Sequence, residues 1–130
     1  MNLHDKVRGT FLGIGIGDAL GKATEGLSAS LIEREFGRIT TYFNLPQHED
    51  FDGQPPGTWT DDTQLSLTVA RGFIAAGSFD LDAIAREHCI EFHKNVAGWG
   101  DTTLEAVARI VAGVHWSRAS STDQPETGSP

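Results

Sequence analysis

Apolar residues recur at helical spacing through most of this sequence, and this periodicity constrains its fold more than any other feature. In residues 81–93 and 104–114 they return every three or four positions, which places them on one face of a helix. No segment alternates apolar and polar residues with the period of two that a half-buried strand requires. The chain is therefore predicted to be all-α.

Capping residues and glycines predict where the helices begin and end. Ser30 with Glu33, and Thr102 with Glu105, match the capping box of a helix start. Together with the apolar periodicity, these signals predict helices over 5–20, 31–36, 61–76 and 81–93, and a further helix that follows the Thr102 cap and carries apolar residues at helical spacing from 104 to 114. Prolines and glycines punctuate residues 39–59, which predicts a long loop of the kind that is either functional or disordered. Residues 1–116 are assigned to one helical domain, or part of one, and 117–130 to a loop or disordered tail.

The first predicted helix carries a glycine at every fourth position, namely Gly9, Gly13, Gly17 and Gly21. A glycine inside a helix costs roughly 1 kcal/mol relative to alanine, so a stripe of four needs a compensating reason. Close approach of another helix and close approach of a ligand are equally good explanations.

Composition narrows the class of protein. The net charge of -8 disfavours nucleic acid or an anionic membrane as the main partner, because both need Lys and Arg to neutralise them. Cys89 is the single cysteine, which excludes an internal disulfide and a cysteine-based zinc site. The first residues carry mixed charge and the apolar run after them contains Asp18, so they resemble neither a signal peptide nor a membrane span. The expectation is a cytoplasmic protein.

The most informative motif is Gly-Thr-Trp-Thr-Asp-Asp-Thr at residues 57–63, at a predicted helix start. Taken alone, Thr60 and the two acids suit an ordinary helix N-terminus. The adjacent carboxylates of Asp61 and Asp62 nevertheless repel each other, by roughly 3 kcal/mol at about 6 Å and an effective dielectric near 20. A divalent cation removes this repulsion, and carboxylate and hydroxyl oxygens are the ligands that Mg²⁺ or Mn²⁺ prefers. The motif is therefore a candidate metal site.

Two further segments carry candidate functional residues. Glu25 follows Gly-Asp-Ala-Leu-Gly at residues 17–21 and is a candidate gate or general base, although an exposed glutamate without a role explains the local sequence as well. Gly98, Trp99 and Gly100 precede a predicted helix, whose N-terminal N–H groups suit phosphate oxygens. A simple turn between helices is the alternative for this second segment.

In this order and spacing, the motifs over residues 5–116 resemble the ADP-ribosylglycohydrolase family, which includes the glycohydrolase that reactivates dinitrogenase reductase. The resemblance implies an orthogonal helical bundle that holds two divalent ions, Mg²⁺ or Mn²⁺, in the complete domain. It implies that Thr60, Asp61 and Asp62 are metal ligands and that the metals orient ribose hydroxyls and the attacking water for cleavage at C1″. Glu25 then matches a glutamate near the metal site, and Gly98, Trp99 and Gly100 match a loop near the substrate diphosphate. The implied partner is an ADP-ribosylated protein or a small ADP-ribose conjugate.

The sequence departs from the family pattern in one respect. A second metal-binding motif, Asp-x-Asp-Thr, completes the site in family members and is absent from these residues. The chain is accordingly expected to be the first part of a longer domain, with apolar surface left uncovered and a tendency to oligomerise. A truncated, non-catalytic remnant, an ADP-ribose or metal-binding module, and a small helical interaction domain remain as alternatives to the hydrolase.

Overall fold

A computed structural model of the protein describes residues 2–43, 54–94 and 98–120. These residues contain five α-helices and no strand, which confirms the predicted all-α class. In chain order, the helices are α1 (Leu3–Gly21), α2 (Ala29–Glu35), α3 (Asp61–Ala76), α4 (Leu81–Phe92) and α5 (Asp101–Val111). No helix in the described ranges is long and apolar enough to cross a membrane. Part of the predicted loop, residues 44–53, and most of the predicted tail, residues 121–130, lie outside the described residues.

The chain divides into two compact units, residues 1–67 and 68–130. The first unit holds α1, α2 and the start of α3, and a single 3-10 turn, Lys22–Thr24, follows α1 directly. The second unit holds the rest of α3 with α4 and α5, and α4 and α5 pack against each other. The buried apolar side chains include Ala19 and Ala23 in the first unit and Ala83, Trp99 and Val107 in the second.

Three predicted helix starts differ from the structure, and the first is that of α1, which begins at Leu3 instead of Asp5. Helix α2 begins after Ser28, which has an extended backbone and whose side-chain oxygen accepts the Leu31 N–H at 3.3 Å, so the cap lies two residues before Ser30. Helix α5 begins after Gly100, which has no side chain to cap with, and Thr102 already lies inside the helix. In α5 the acidic Asp101 in the first turn supplies the favourable charge instead. The predicted bounds of α3 are confirmed, and α4 ends one residue earlier than predicted.

The glycine stripe of α1 is exposed. A Cβ added at Gly9, Gly13, Gly17 or Gly21 would meet no atom of the described residues within 4 Å. The close helix contact that explains such a stripe is therefore absent from the described part of the chain. The tightest glycine lies elsewhere, at Gly72 in α3, where a Cβ would come within 2.7 Å of the Ile84 backbone. The close approach of α3 and α4 in the second unit depends on this glycine.

Several large apolar side chains are also exposed, among them Leu3, Ile74 and Phe79, at 76%, 81% and 66%. Phe79 contacts Phe73 with ring centroids 5.4 Å apart, and both rings remain largely open to solvent. The expectation that the chain oligomerises through such surface stays a prediction.

Candidate metal centre

The candidate site is built around the junction of α1 and α3 in the first unit. Asp18 lies in the last turn of α1, and its carboxylate faces the first residues of α3. Its Oδ2 atom accepts the backbone N–H groups of Thr60 at 2.8 Å and Thr63 at 3.2 Å. The carboxylate thus caps α3 from a different helix, a role that a residue next to the helix start normally fills.

The hydroxyl groups of the same two threonines donate to the same carboxylate. Thr60 Oγ1 lies 2.7 Å from Asp18 Oδ1, and Thr63 Oγ1 lies 2.5 Å from Asp18 Oδ2. Both threonines are buried, at 6% and 4% exposure, so the carboxylate satisfies four donors that water does not reach. The two threonines that flank the aspartates of the motif are three positions apart, and both face Asp18.

The two aspartates of the motif occupy the first turn of α3, as predicted. Asp61 is half-buried and Asp62 is exposed. Although the residue as a whole is exposed, partial desolvation of its carboxyl group raises the pKa of Asp62 above its ordinary value, and the negative charges of Asp61 and Asp18 raise it further. Three carboxylates therefore crowd negative charge at one helix start, which a bound cation would relieve.

Lys22 is a member of this site that the sequence did not reveal. It lies one turn after Asp18, is 4% exposed, and donates from Nζ to Gln54 Oε1 at 3.3 Å. Burial lowers the pKa of Lys22, and the attraction of Asp18 opposes that shift. Lysine is normally a surface residue, so nothing in the local sequence marks this one as buried.

The residues of the site suit a hard cation in part. Thr60 has one hydroxyl hydrogen, which Asp18 takes, and both of its lone pairs remain to coordinate. Together with the Asp61 and Asp62 carboxylates this gives an all-oxygen set, of the type that binds Mg²⁺ or Mn²⁺. Within the described ranges no three or more His, Cys, Asp or Glu side chains form a metal-binding group. That Thr60, Asp61 and Asp62 supply two carboxylates and a hydroxyl to a metal ion stays a prediction.

The other predicted site residues are placed as follows. Glu25 lies directly after the 3-10 turn of the first unit, with an exposed side chain and its N–H donated to Lys22 O at 3.3 Å. Gly98, Trp99 and Gly100 belong to the second unit. There Trp99 is 5% exposed and its ring centroid lies 6.3 Å from that of Phe92. The Trp99 ring thus packs as core, while Gly98 and Gly100 on either side are exposed.

The helices and the acidic start of α3 define a helical protein with an oxygen-rich candidate cation site. The family model for ADP-ribosylglycohydrolase matches residues 1–129, and the chain belongs to the ADP-ribosylglycohydrolase family. This confirms the resemblance inferred from the motifs.

Three curated relatives illustrate the relationship. An uncharacterized protein of Archaeoglobus fulgidus is 31% identical over 118 residues, which are 90% of this chain and 37% of that protein. The ADP-ribosyl-[dinitrogen reductase] glycohydrolase of Rhodospirillum rubrum is 29% identical over 85% of this chain and 36% of its own length. The ADP-ribosylarginine hydrolase Tri1 of Serratia proteamaculans is 30% identical over 70% of this chain and 22% of its own length. The chain thus spans less than two-fifths of the length of each of these relatives.

Proposed function

We propose that this chain is part of a metal-dependent hydrolase that removes ADP-ribose from modified proteins or related conjugates. Family membership supports this proposal, as do the names of two relatives, one acting on dinitrogen reductase and one on ADP-ribosylarginine. The observation that carries it in the structure is the start of α3. There Asp18 fixes Thr60 by two hydrogen bonds, directly before two adjacent carboxylates.

In this proposal Thr60, Asp61 and Asp62 bind Mg²⁺ or Mn²⁺, with two ions in the complete domain. When bound, such an ion polarises oxygen ligands and orients the ribose and the water for the reaction. The glycosidic bond at C1″ breaks, water supplies the new hydroxyl at C1″, and the acceptor side chain leaves with a proton. The exposed carboxylate of Glu25 takes the proton of the attacking water or gates access to the site.

The loop at residues 98–100 is proposed to bind the substrate diphosphate through its backbone. Gly100 directly precedes α5, whose first N–H groups favour an anion. Gly98 has a φ of 96°, a conformation that glycine adopts without strain. The buried Trp99 ring holds the loop between the two glycines, and its role is to anchor that loop.

The direct test is release of ADP-ribose. The purified chain is incubated with a protein that carries arginine-linked ADP-ribose, with and without Mg²⁺ or Mn²⁺, and free ADP-ribose is quantified by chromatography. A parallel substrate with serine-linked ADP-ribose distinguishes the linkage. We expect metal-dependent release and a decrease of at least about a hundredfold in the Asp61→Asn/Asp62→Asn double variant, because the metal contributes several kcal/mol of transition-state stabilisation.

A matched control is Asp5→Asn, which removes an acid from the first turn of α1 and leaves α3 and the loop at residues 98–100 unchanged. It is expected to release ADP-ribose at nearly the rate of the unmodified chain. If the unmodified chain releases no ADP-ribose, the proposal that these residues act as a hydrolase is rejected. Calorimetric titration with ADP-ribose would then decide whether the chain is a binding module.

A further inference from the structure

In its contacts with the start of α3, every partner of the Asp18 carboxylate is a hydrogen-bond donor. They are two backbone N–H groups and two hydroxyl groups, and all four come from Thr60 and Thr63. A carboxylate that faces four donors acts purely as an acceptor. The direction of each of these hydrogen bonds is therefore fixed by the chemistry of Asp18.

This direction has a consequence for the Thr60 hydroxyl group. A free hydroxyl rotates and presents either its hydrogen or a lone pair to a neighbour. At Thr60 the only hydrogen points to Asp18 Oδ1, 2.7 Å away. The oxygen therefore presents its lone pairs away from Asp18, and only lone pairs can coordinate a cation.

We propose that Asp18 is a positioning residue that orients the Thr60 hydroxyl group for cation binding. In this role Asp18 acts through Thr60 rather than as a ligand, since its Oδ2 atom already accepts three donors and its Oδ1 atom accepts the Thr60 hydroxyl. This inference rests on the proposed function, since it requires that Thr60, Asp61 and Asp62 bind a divalent cation. It adds that cation affinity depends on a residue in α1, outside the metal-binding motif.

The isosteric change Asp18→Asn alters the orientation of the Thr60 hydroxyl group while keeping the shape of the side chain at position 18. The asparagine side chain has the size of aspartate but replaces one acceptor oxygen with an N–H₂ donor. When that donor faces Thr60 Oγ1, the hydroxyl must accept from it, which uses a lone pair and turns the hydrogen elsewhere. Loss of a group that orients a metal ligand typically costs 10–100-fold in metal affinity.

The experiment measures Mn²⁺ affinity by the paramagnetic broadening of backbone amide signals around residues 60–63 in the ¹⁵N-labelled chain. Four variants are compared with the unmodified chain, namely Asp18→Asn, Thr60→Val, the double variant of these two, and Thr24→Val. We expect each of the first two single variants to bind Mn²⁺ at least about tenfold more weakly. The double variant should bind no more weakly than Thr60→Val alone, because Asp18 acts through Thr60.

Thr24→Val controls for a loss of stability without a loss of orientation. Thr24 is 7% exposed and its hydroxyl donates to Gly21 O at 3.0 Å, so the change removes a buried hydrogen bond in the same unit. It should lower the thermal midpoint of unfolding and leave Mn²⁺ affinity within about twofold. A purely structural role of Asp18 would instead make Mn²⁺ affinity follow stability in all variants.

One measurement uses the unmodified chain, so it can be made even if the Asp18→Asn variant does not fold. In the unmodified chain, the hydroxyl proton of Thr60 should exchange slowly with water because it is buried and donated to Asp18, and its ¹H signal should persist at saturating Mg²⁺. Loss of this signal on Mg²⁺ binding would overturn the proposal.

The remaining outcomes are also decisive. If Asp18→Asn binds Mn²⁺ as tightly as the unmodified chain, or if the effects of Asp18→Asn and Thr60→Val multiply, the positioning role is rejected and the proposed metal site stands. If the unmodified chain broadens no more than the Asp61→Asn/Asp62→Asn variant, the metal site itself is rejected and the role of Asp18 with it.

Discussion

Asp18 and Thr60 are 42 residues apart in the chain and joined by two hydrogen bonds, one from the Thr60 N–H at 2.8 Å and one from its hydroxyl at 2.7 Å. Through this pair the last turn of α1 determines where α3 begins. Helix capping is normally local, within three residues of the helix start. Here it is a tertiary contact, and it places the acidic motif.

Asp18→Ala should lower the free energy of unfolding by about 3 kcal/mol, because it leaves two N–H groups and two buried hydroxyls without an acceptor. Urea denaturation followed by circular dichroism measures this change. Asp5→Ala is the control, since Asp5 lies in the first turn of α1 with an exposed carboxylate and should cost less than about 1 kcal/mol. Equal losses in the two variants would contradict the capping role of Asp18.

Glu91 should make the stability of the chain depend on pH. Its Oε2 atom lies 2.8 Å from Arg71 Nη1 and 2.7 Å from Lys94 Nζ. Burial alone raises the pKa of Glu91, but Lys94 and Arg71 together outweigh it and hold the pKa below the ordinary 4.5. A lowered carboxyl pKa stabilises the folded state above pH 4.5, and this stabilisation is lost as the pH falls through the folded-state pKa.

The variant Glu91→Gln should therefore be less stable than the unmodified chain by about 2 kcal/mol at neutral pH. The difference should shrink below pH 4.5, where the Glu91 carboxylate of the unmodified chain becomes protonated. Urea denaturation over a pH series measures both. Glu105→Gln is the control, because Glu105 is 59% exposed and 3.8 Å from Arg109, and such a pair contributes less than about 0.5 kcal/mol. A pH-independent difference for Glu91→Gln would be inconsistent with the ion pairs.

Alanine substitutions at two helix glycines should have opposite effects. Gly72→Ala places a Cβ within 2.7 Å of the Ile84 backbone, which cannot move aside without separating α3 from α4, so we expect a loss of about 2–3 kcal/mol. Gly13→Ala meets nothing within 4 Å and should stabilise α1 by about 1 kcal/mol. Thermal unfolding measures both changes. Destabilisation by Gly13→Ala would reveal a contact at the glycine stripe.

Alanine substitutions at two tryptophans should likewise distinguish a packed ring from an exposed one by their effect on the free energy of unfolding. Trp99 is 5% exposed, and Trp99→Ala should cost about 3–5 kcal/mol of unfolding free energy through the cavity it leaves. Trp59 is 50% exposed, and Trp59→Ala should cost about 1 kcal/mol or less. Chemical denaturation measures both values. A small loss at Trp99 would contradict the packing role of its ring.

The sequence predicted the helices well where the signal was periodic. The bounds of α3 are as predicted because glycine and aspartate mark both of its ends. The starts of α2 and α5 were wrong because polar residues near the true start also match a cap, and only the backbone conformation shows which residue is the cap. For α2 this residue is Ser28, with ψ of 148°, and for α5 it is Gly100, with ψ of 152°.

Residue chemistry and order alone determined the helical class, the acidic motif at residues 60–62 and the family, because these depend on local periodicity and on motifs that are continuous in the chain. Tertiary structure decided the partners of that motif. The four hydrogen bonds to Asp18, the burial of Lys22 beside it and the packing of Trp99 all join residues through space. Burial and hydrogen-bond direction are set by what surrounds a side chain, and no local pattern encodes them.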